Sequence, residues 1–369
     1  MALIYDGTSG ITFNDGSQIG SASQMGIRNR IINGHMIIDQ RNAGASVTGT
    51  AGGIYPVDRW RVYGSQASKL TAQQNAGSVT PPVGFTNYLG ITSSSAYSIA
   101  ASDFFFLYQM IEGFNTYDLA WGTANAKAVT LSFWVYSSLT GVFGGSLRNG
   151  NQDRSYPFTY TITSANTWQY VTITIPGPTS GTWAGAVNTT GVEVDFGLGA
   201  GSTYSGTPGT WTAASYVSAT GATSVVGTNG ATFYITGVQL EKGSVATPFD
   251  FRLYGKELLM CQRYYAKSYA QGTVPGTASI YNGALQSYVG TGSSGASLPF
   301  RFPVSMRAVP TITFYDLAGT SGKVYANGNG VTPDAQTSYY GTDGAYFGQT
   351  SVTSGGVQLL AQYTASAEL

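Results

Sequence analysis

The chain has 369 residues with 17 Lys+Arg and 17 Asp+Glu, a net charge of zero, and charged side chains make up only 9% of it. An ordinary globular protein carries about 25%. At 42% apolar residues it can bury cores, but it has no basic block to neutralise nucleic-acid phosphates and too few charges to coat long surface helices.

Residues 1–27 read as a short leader, with Asp6-Gly7 and Asp15-Gly16 marking turns around the strand-like stretch 10–13. The segment is too short for a core of its own and is predicted to attach to a neighbouring protein. It lacks the basic start and the apolar run of about 7–15 residues that define a signal peptide. No apolar run reaches the roughly 18 residues needed to span a membrane, so synthesis without export and no membrane insertion are expected.

Residues 28–252 form a long middle region. Stretches 30–34 and 36–39 are short β candidates either side of Asn33-Gly34. Clear period-2 patterning follows at 129–136, 156–162, 168–175, 192–196 and 232–240, separated by Gly/Ser/Thr-rich loops. Short alternating runs of this kind predict an antiparallel sandwich. Loops 177–191 and 199–230 exceed the roughly 12 residues usual for a connection, which predicts functional excursions or packing partners.

Residues 253–267 predict the one helix, with Leu258, Leu259, Gln262 and Tyr265 along one stripe. Residues 268–369 return to β patterning at 276–281, 309–315, 344–347 and 357–364, enough for a second, smaller sandwich. Only seven charged residues lie beyond residue 270, which predicts burial between subunits.

Little in the chain supports catalysis. His35 is the lone histidine, so His-rich zinc sites are excluded, and no phosphate-cradling glycine motif occurs. Cys261 is the lone cysteine and reads as a small buried hydrophobe. Glycoside hydrolysis needs two carboxyl groups facing one sugar. Glu193 and Asp195 alternate on one predicted strand and share a face, about 7 Å apart along the chain. Any E-x-D on a strand has this spacing, so a solvated face or a structural cation contact is the competing reading. The expectation is that the chain is not an enzyme.

Loop aromatics are the remaining signal. Flat rings stack on the C–H faces of sugars while hydroxyl, amide and carboxylate groups bond the sugar hydroxyls, a means of binding neutral glycans with few charges. Trp183 and Trp211 lie in the loops of the middle region. Tyr339, Tyr340, Tyr346 and Asp343 lie near the C-terminal end, with Gly341 and Gly344 permitting a tight turn. Adjacent residues of an extended chain point to opposite sides, so Tyr339 and Tyr340 cannot both enter one thin core. These six residues are the candidate receptor or glycan contacts, interface packing being the alternative. Tyr63, Trp134 and Trp168 lie in strand-like sequence and are assigned to the core.

Four stretches together resemble bacteriophage tail fibres: DGTSGITFNDGSQIGSAS near the start, NRIINGHMIIDQR at 29–41 with VDRW at 57–60, FYITGVQLEKG at 233–243 with TPFDFR at 247–252, and ELLMCQRYY at 257–265. The resemblance covers about residues 1–267, and the order of the later motifs is more specific than any one of them. It implies an N-terminal connector to the virion, a jelly-roll module opened and closed by the middle motifs, and a following helix. It also implies a homotrimer whose C-terminal end faces the host. The middle region is similar to jelly-roll carbohydrate-binding modules, several of which hold a structural Ca²⁺. Their closing strand carries Asp-Asp-Val where this chain has Thr236-Gly237-Val238. No metal or cofactor is therefore assigned.

The resulting expectation is an all-β chain in four parts. These are an attachment segment (1–27), a jelly-roll carbohydrate-binding-like domain (28–252), a connecting helix (253–267) and a β-sandwich receptor-binding tip (268–369). Its expected role is adhesion of a phage tail to bacterial surface polysaccharide or lipopolysaccharide. The expected partners are two further copies of the chain and a baseplate or tail protein. The alternatives are a tail-associated polysaccharide hydrolase and a purely structural baseplate subunit.

Overall fold

In this computed structural model the described residues are the short strands at 4–6, 10–12 and 18–19, then 28–278, 281–289, 296–327, 336–338, 340–349 and 357–369. The first three strands, β1 (Ile4–Asp6), β2 (Gly10–Thr12) and β3 (Gln18–Ile19), pair antiparallel.

The alternating runs of the middle region fold into two facing sheets. In chain order the strands are β4 (Val47–Thr48), β5 (Ile54–Val57), β6 (Trp60–Gly64), β7 (Leu70–Gln74), β8 (Leu89–Ser93) and β9 (Phe104–Glu112). Then come β10 (Val129–Ser137), β11 (Gly141–Asn149), β12 (Ser155–Ile162), β13 (Gln169–Ile175), β14 (Thr190–Ala200), β15 (Ser205–Gly206), β16 (Ser218–Ala219) and β17 (Thr232–Lys242). One six-stranded sheet runs β13-β10-β17-β8-β7-β4 and the other β12-β11-β14-β9-β6-β5, a jelly-roll sandwich. Each strand sends one parity inward: Leu131, Phe133 and Val135 from β10 meet Val194, Phe196 and Leu198 from β14, all fully buried. Phe133 packs edge-on to Phe196 at 5.0 Å.

β17 changes parity midway. Its inward residues are Phe233 and Ile235, then Val238 and Leu240, because a bulge at Gly237 inserts one residue opposite β10. Gly237 holds φ at 62°, and a Cβ there would sit 2.7 Å from Phe85 Cζ and 3.1 Å from Trp134 Cδ1. Glycine is required at this position.

Stretches 30–34 and 36–39, expected as strands, are irregular. Side chains hold their backbone in place of a ladder. Asn33 Nδ2 donates to the carbonyls of Ile38 (2.8 Å) and Asp58 (2.9 Å), and Trp60 Nε1 donates to Asn33 O (3.0 Å). The expected Asn33-Gly34 turn is present, with Asn33 left-handed.

The helix α1 (Tyr254–Gln262) is shorter than expected and buries Glu257, Cys261 and Gln262, while Leu259 stays 47% exposed. Tyr265 does not join its stripe. It begins β18 (Tyr265–Lys267), and its ring lies 3.8 Å from the Arg41 guanidinium carbon. Tertiary contacts thus end the helix earlier than its local pattern does.

The remaining strands are β19 (Leu285–Val289), β20 (Ala296–Arg301), β21 (Thr311–Tyr315), β22 (Tyr325–Asn327), β23 (Gln336–Ser338), β24 (Gly344–Gln349) and β25 (Val357–Ser366). β25 pairs with β18, β19, β21 and β22, and β24 lies between β20 and β23. Phe314 on the first sheet meets Phe347 on the second at 5.1 Å, inside a small core that includes Phe300 and Tyr363. The expected strand at 276–281 does not form among its described residues. The described residues are all-β with a jelly-roll sandwich and one α-helix, as the alternation predicts.

A charged seam joins these strands to the jelly roll. Glu368 pairs with Arg41 at 2.8 Å and also with Arg59, whose guanidinium carbon lies 3.4 Å from the Tyr264 ring centroid. Arg263 holds Glu112 at 2.8 Å.

Candidate functional site

The strand carboxylates Glu193 and Asp195 share a face, as their spacing predicts, but that face is not solvated. The excursion between β14 and β17 lies across it, with Val217 and Tyr204 packed on Phe104, Phe106 and Tyr108. Both carboxylates are fully buried. Arg148 bridges them, Nη2 donating to Glu193 at 2.5 Å and Nε to Asp195 at 2.7 Å. Asp195 Oδ1 is buried without a hydrogen-bond partner, and burial holds its carboxyl well above the usual range despite Arg148. The triad is an internal charge cluster inaccessible to a sugar, so neither competing reading of the pair, solvated face or cation contact, is what the fold makes of it.

Trp183 and Trp211 pack against Trp121, with ring centroids 4.8 and 5.4 Å from it and 5.3 Å from each other. Their indole N–H groups donate to Ser180 O (3.2 Å) and Pro176 O (2.7 Å). Trp211 also meets Tyr156 and is edge packing of the core. Trp183 in addition borders a cleft of about 190 Å³ beside Tyr117.

Near the C-terminal end, Tyr340 is 56% and Tyr346 41% exposed. Gly341 N donates to Gly344 O at 2.9 Å, closing the expected turn. Asp343 accepts from Ser305 Oγ and borders a cleft of about 370 Å³ with Phe300, Arg301 and Tyr346. Tyr339 lies outside the described residues.

An aromatic cleft lies where no candidate was placed, on the outer face of the β13-β10-β17 sheet. Trp134 and Tyr170 are cross-strand partners with rings 5.3 Å apart, and Ser132 and Thr172 are the next such pair on that face. Phe85 and the segment after β17 form a wall over this floor. Phe249 lies 5.3 Å from Phe85 and 4.8 Å from Phe251, itself 55% exposed. The cleft holds about 520 Å³. His35 backs the wall at 5.6 Å from Phe249, and burial lowers its pKa, which favours neutral imidazole there.

The same face continues past this cleft, but there it is covered. Tyr136 stacks on Tyr234 at 5.2 Å, Tyr88 OH donates to Ala76 O, and Trp168 Nε1 donates to Thr80 O at 2.9 Å. Loop residues 76–80 thus roof one half of an aromatic sheet face and leave the Trp134–Tyr170 half open. Tyr63, Trp134 and Trp168, assigned to the core, are instead half-buried on outer faces. The signal that separates them was present. Where Leu131, Phe133 and Val135 face in, Trp134 and Tyr136 must face out.

The position that the resemblance associates with Ca²⁺ does not fit a cation. Thr236 donates its hydroxyl to Asn87 O at 2.7 Å, and Gly237 brings no ligand. Among the described residues no group of three His, Cys, Asp or Glu side chains converges. Nor is any described helix long and apolar enough to cross a membrane.

No family model and no curated relative matches the chain. Similar solved structures include the enzymatically active domain of tailspike protein 4 from bacteriophage CBA120 (14% identity, 58% of this chain and 21% of that one, TM-score 0.32). The module TmCBM61, solved with β-1,4-galactotriose, is 14% identical over 58% of this chain and 99% of that one, TM-score 0.29. The arabinose-bound α-L-arabinofuranosidase MgGH51 is 11% identical over 61% of this chain and 29% of that one, TM-score 0.30. The chain therefore spans about a fifth of the tailspike's length. These are likenesses of fold alone. The expectation that the chain is not an enzyme is corrected here, since an enzymatically active tailspike domain and a glycosidase are among them. One fold hosts both binding and hydrolysis, so fold alone does not exclude catalysis.

Proposed function

We propose that the chain is a receptor-binding subunit of a bacteriophage tail that adheres to bacterial surface glycan through the Trp134–Tyr170 cleft. The observation that carries this reading is the cleft itself: open aromatic rings on a rigid sheet, bordered by neutral hydroxyls and by no charged side chain. The order of the fibre-like motifs supports placement in a tail, with residues 1–27 engaging the virion. The charge-poor sequence supports assembly as a homotrimer. The exposed Tyr340 and Tyr346 around the Asp343 turn supply a second surface for the same receptor.

Binding of purified protein to surface polysaccharides, followed by tryptophan fluorescence, tests the reading. Trp134→Ala and Tyr170→Ala should each weaken binding about ten-fold or more without changing the melting temperature greatly. Unchanged affinity in Trp134→Ala rejects the cleft, and a parallel loss in Tyr340→Ala would move the contact to the C-terminal end. Assay of released oligosaccharide in the same samples reports hydrolysis directly. A light-scattering mass near the 38.7 kDa of one chain would reject the trimer.

A further inference from the structure

The cleft's lining narrows the class of sugar it suits. Its side-chain hydrogen-bonding capacity rests on hydroxyls. Those of Ser132, Thr172 and Tyr170 have no partner among the described residues, and that of Thr247 is spent on Glu241 at 2.7 Å. No amide, carboxylate, ammonium or guanidinium group borders it. An ordinary hexopyranose carries more hydroxyls than these groups can bond, and each one buried without a partner is unfavourable. Acidic sugars would bury a carboxylate with no cation to meet it. Opposite the hydroxyls, Phe85, Phe249 and Phe251 form an apolar wall backed by His35, and such a wall gains by covering methyl groups.

Resting on the glycan reading above, we infer that the cleft selects neutral sugars bearing a methyl group, as a 6-deoxy or acetyl substituent. The ring stacks on the floor formed by Trp134 and Tyr170, the Ser132–Thr172 pair bonds one edge, and the methyl lies against Phe251 and Phe249. Gly237 makes room by letting Phe85 and Trp134 approach the sheet backbone.

Matched probes test this. Methyl L-fucoside and methyl L-galactoside differ only in the hydroxyl at C6, and N-acetylglucosamine differs from glucose by its acetamido group. Dissociation constants are measured by NMR titration on the full chain, its Phe251→Ala variant and its Trp134→Ala variant. The 6-deoxy or acetylated member of each pair should bind about ten-fold more tightly. That preference should shrink to about two-fold in Phe251→Ala, whose exposed ring can be removed without a core cavity, and both members should weaken in Trp134→Ala. Equal binding within each pair, still lost in Trp134→Ala, overturns the methyl preference and leaves the glycan cleft standing. No binding of any probe overturns both.

Discussion

Trp134 and Tyr170 face each other across β10 and β13, 5.3 Å apart and tilted by 47°, while their sequence neighbours Phe133 and Val171 point into the jelly-roll core. One strand pair therefore supplies core packing on one side and an open aromatic floor on the other. Strand alternation is the whole cause. The floor is rigid because its backbone is the ladder that closes the sandwich.

Gly237→Ala should couple stability to the cleft. The left-handed φ costs a side chain about 1–2 kcal/mol, and the new methyl must displace Phe85 or Trp134. Chemical denaturation should show a loss of that order, and saccharide titration at low temperature, where the variant is fully folded, should show weakened binding. Unaltered affinity would mean that these rings do not define the site.

The two buried carboxylates should respond differently to neutralisation. Burial raises the pKa of Asp195 and disfavours its charged form, so Asp195→Asn, which keeps an acceptor for Arg148 Nε, should cost less than about 1 kcal/mol. Glu193→Gln removes the carboxylate that meets Arg148 Nη2 and leaves a buried cation without its counter-charge, costing about 3–5 kcal/mol. Urea unfolding of both variants decides. Equal losses would contradict the asymmetry.

Asp58 sets a pH dependence. Burial pushes its pKa up to about 6, while Arg41, 3.1 Å away, opposes the rise. The folded chain then binds this proton more tightly than the unfolded chain, whose value is 3.8. Its contribution to stability is greatest below that value and falls as pH rises towards about 6, by about 3 kcal/mol in all. The stability difference between wild type and Asp58→Asn, measured by denaturation from pH 4 to pH 7, should follow that slope and level off above it. A constant difference would show that Asp58 does not titrate there.

Trp211 should matter to folding rather than to ligand. Its ring packs on Trp121, Trp183 and Tyr156, and its N–H is bonded to Pro176 O. Trp211→Ala should cost about 3–5 kcal/mol in thermal unfolding and leave saccharide affinity within about two-fold. A selective loss of binding would restore this tryptophan as a contact.

The period-2 runs were sufficient to determine an all-β sandwich, because alternation assigns each residue to a face before any partner strand is known. Leu131, Phe133 and Val135 were readable as core for that reason, and Glu193 with Asp195 as one face. What covers a face was not readable. Residues 201–231 return across β14 and bury the carboxylates under Tyr204 and Val217, and residues 76–80 roof Tyr136 and Trp168 but stop short of Trp134. Both outcomes depend on where long loops land, and a loop's path is set by contacts with residues far away in sequence, not by its own pattern. The same holds for 30–39, where apolar residues suggested strands but the Asn33 side chain bonds the carbonyls of Ile38 and Asp58 instead. Phe85, Phe249 and Phe251 lie too far apart in sequence for spacing to join them. Only the bulge at Gly237, which lets Phe85 approach the sheet beside the chain returning from β17, brings those rings around one cleft.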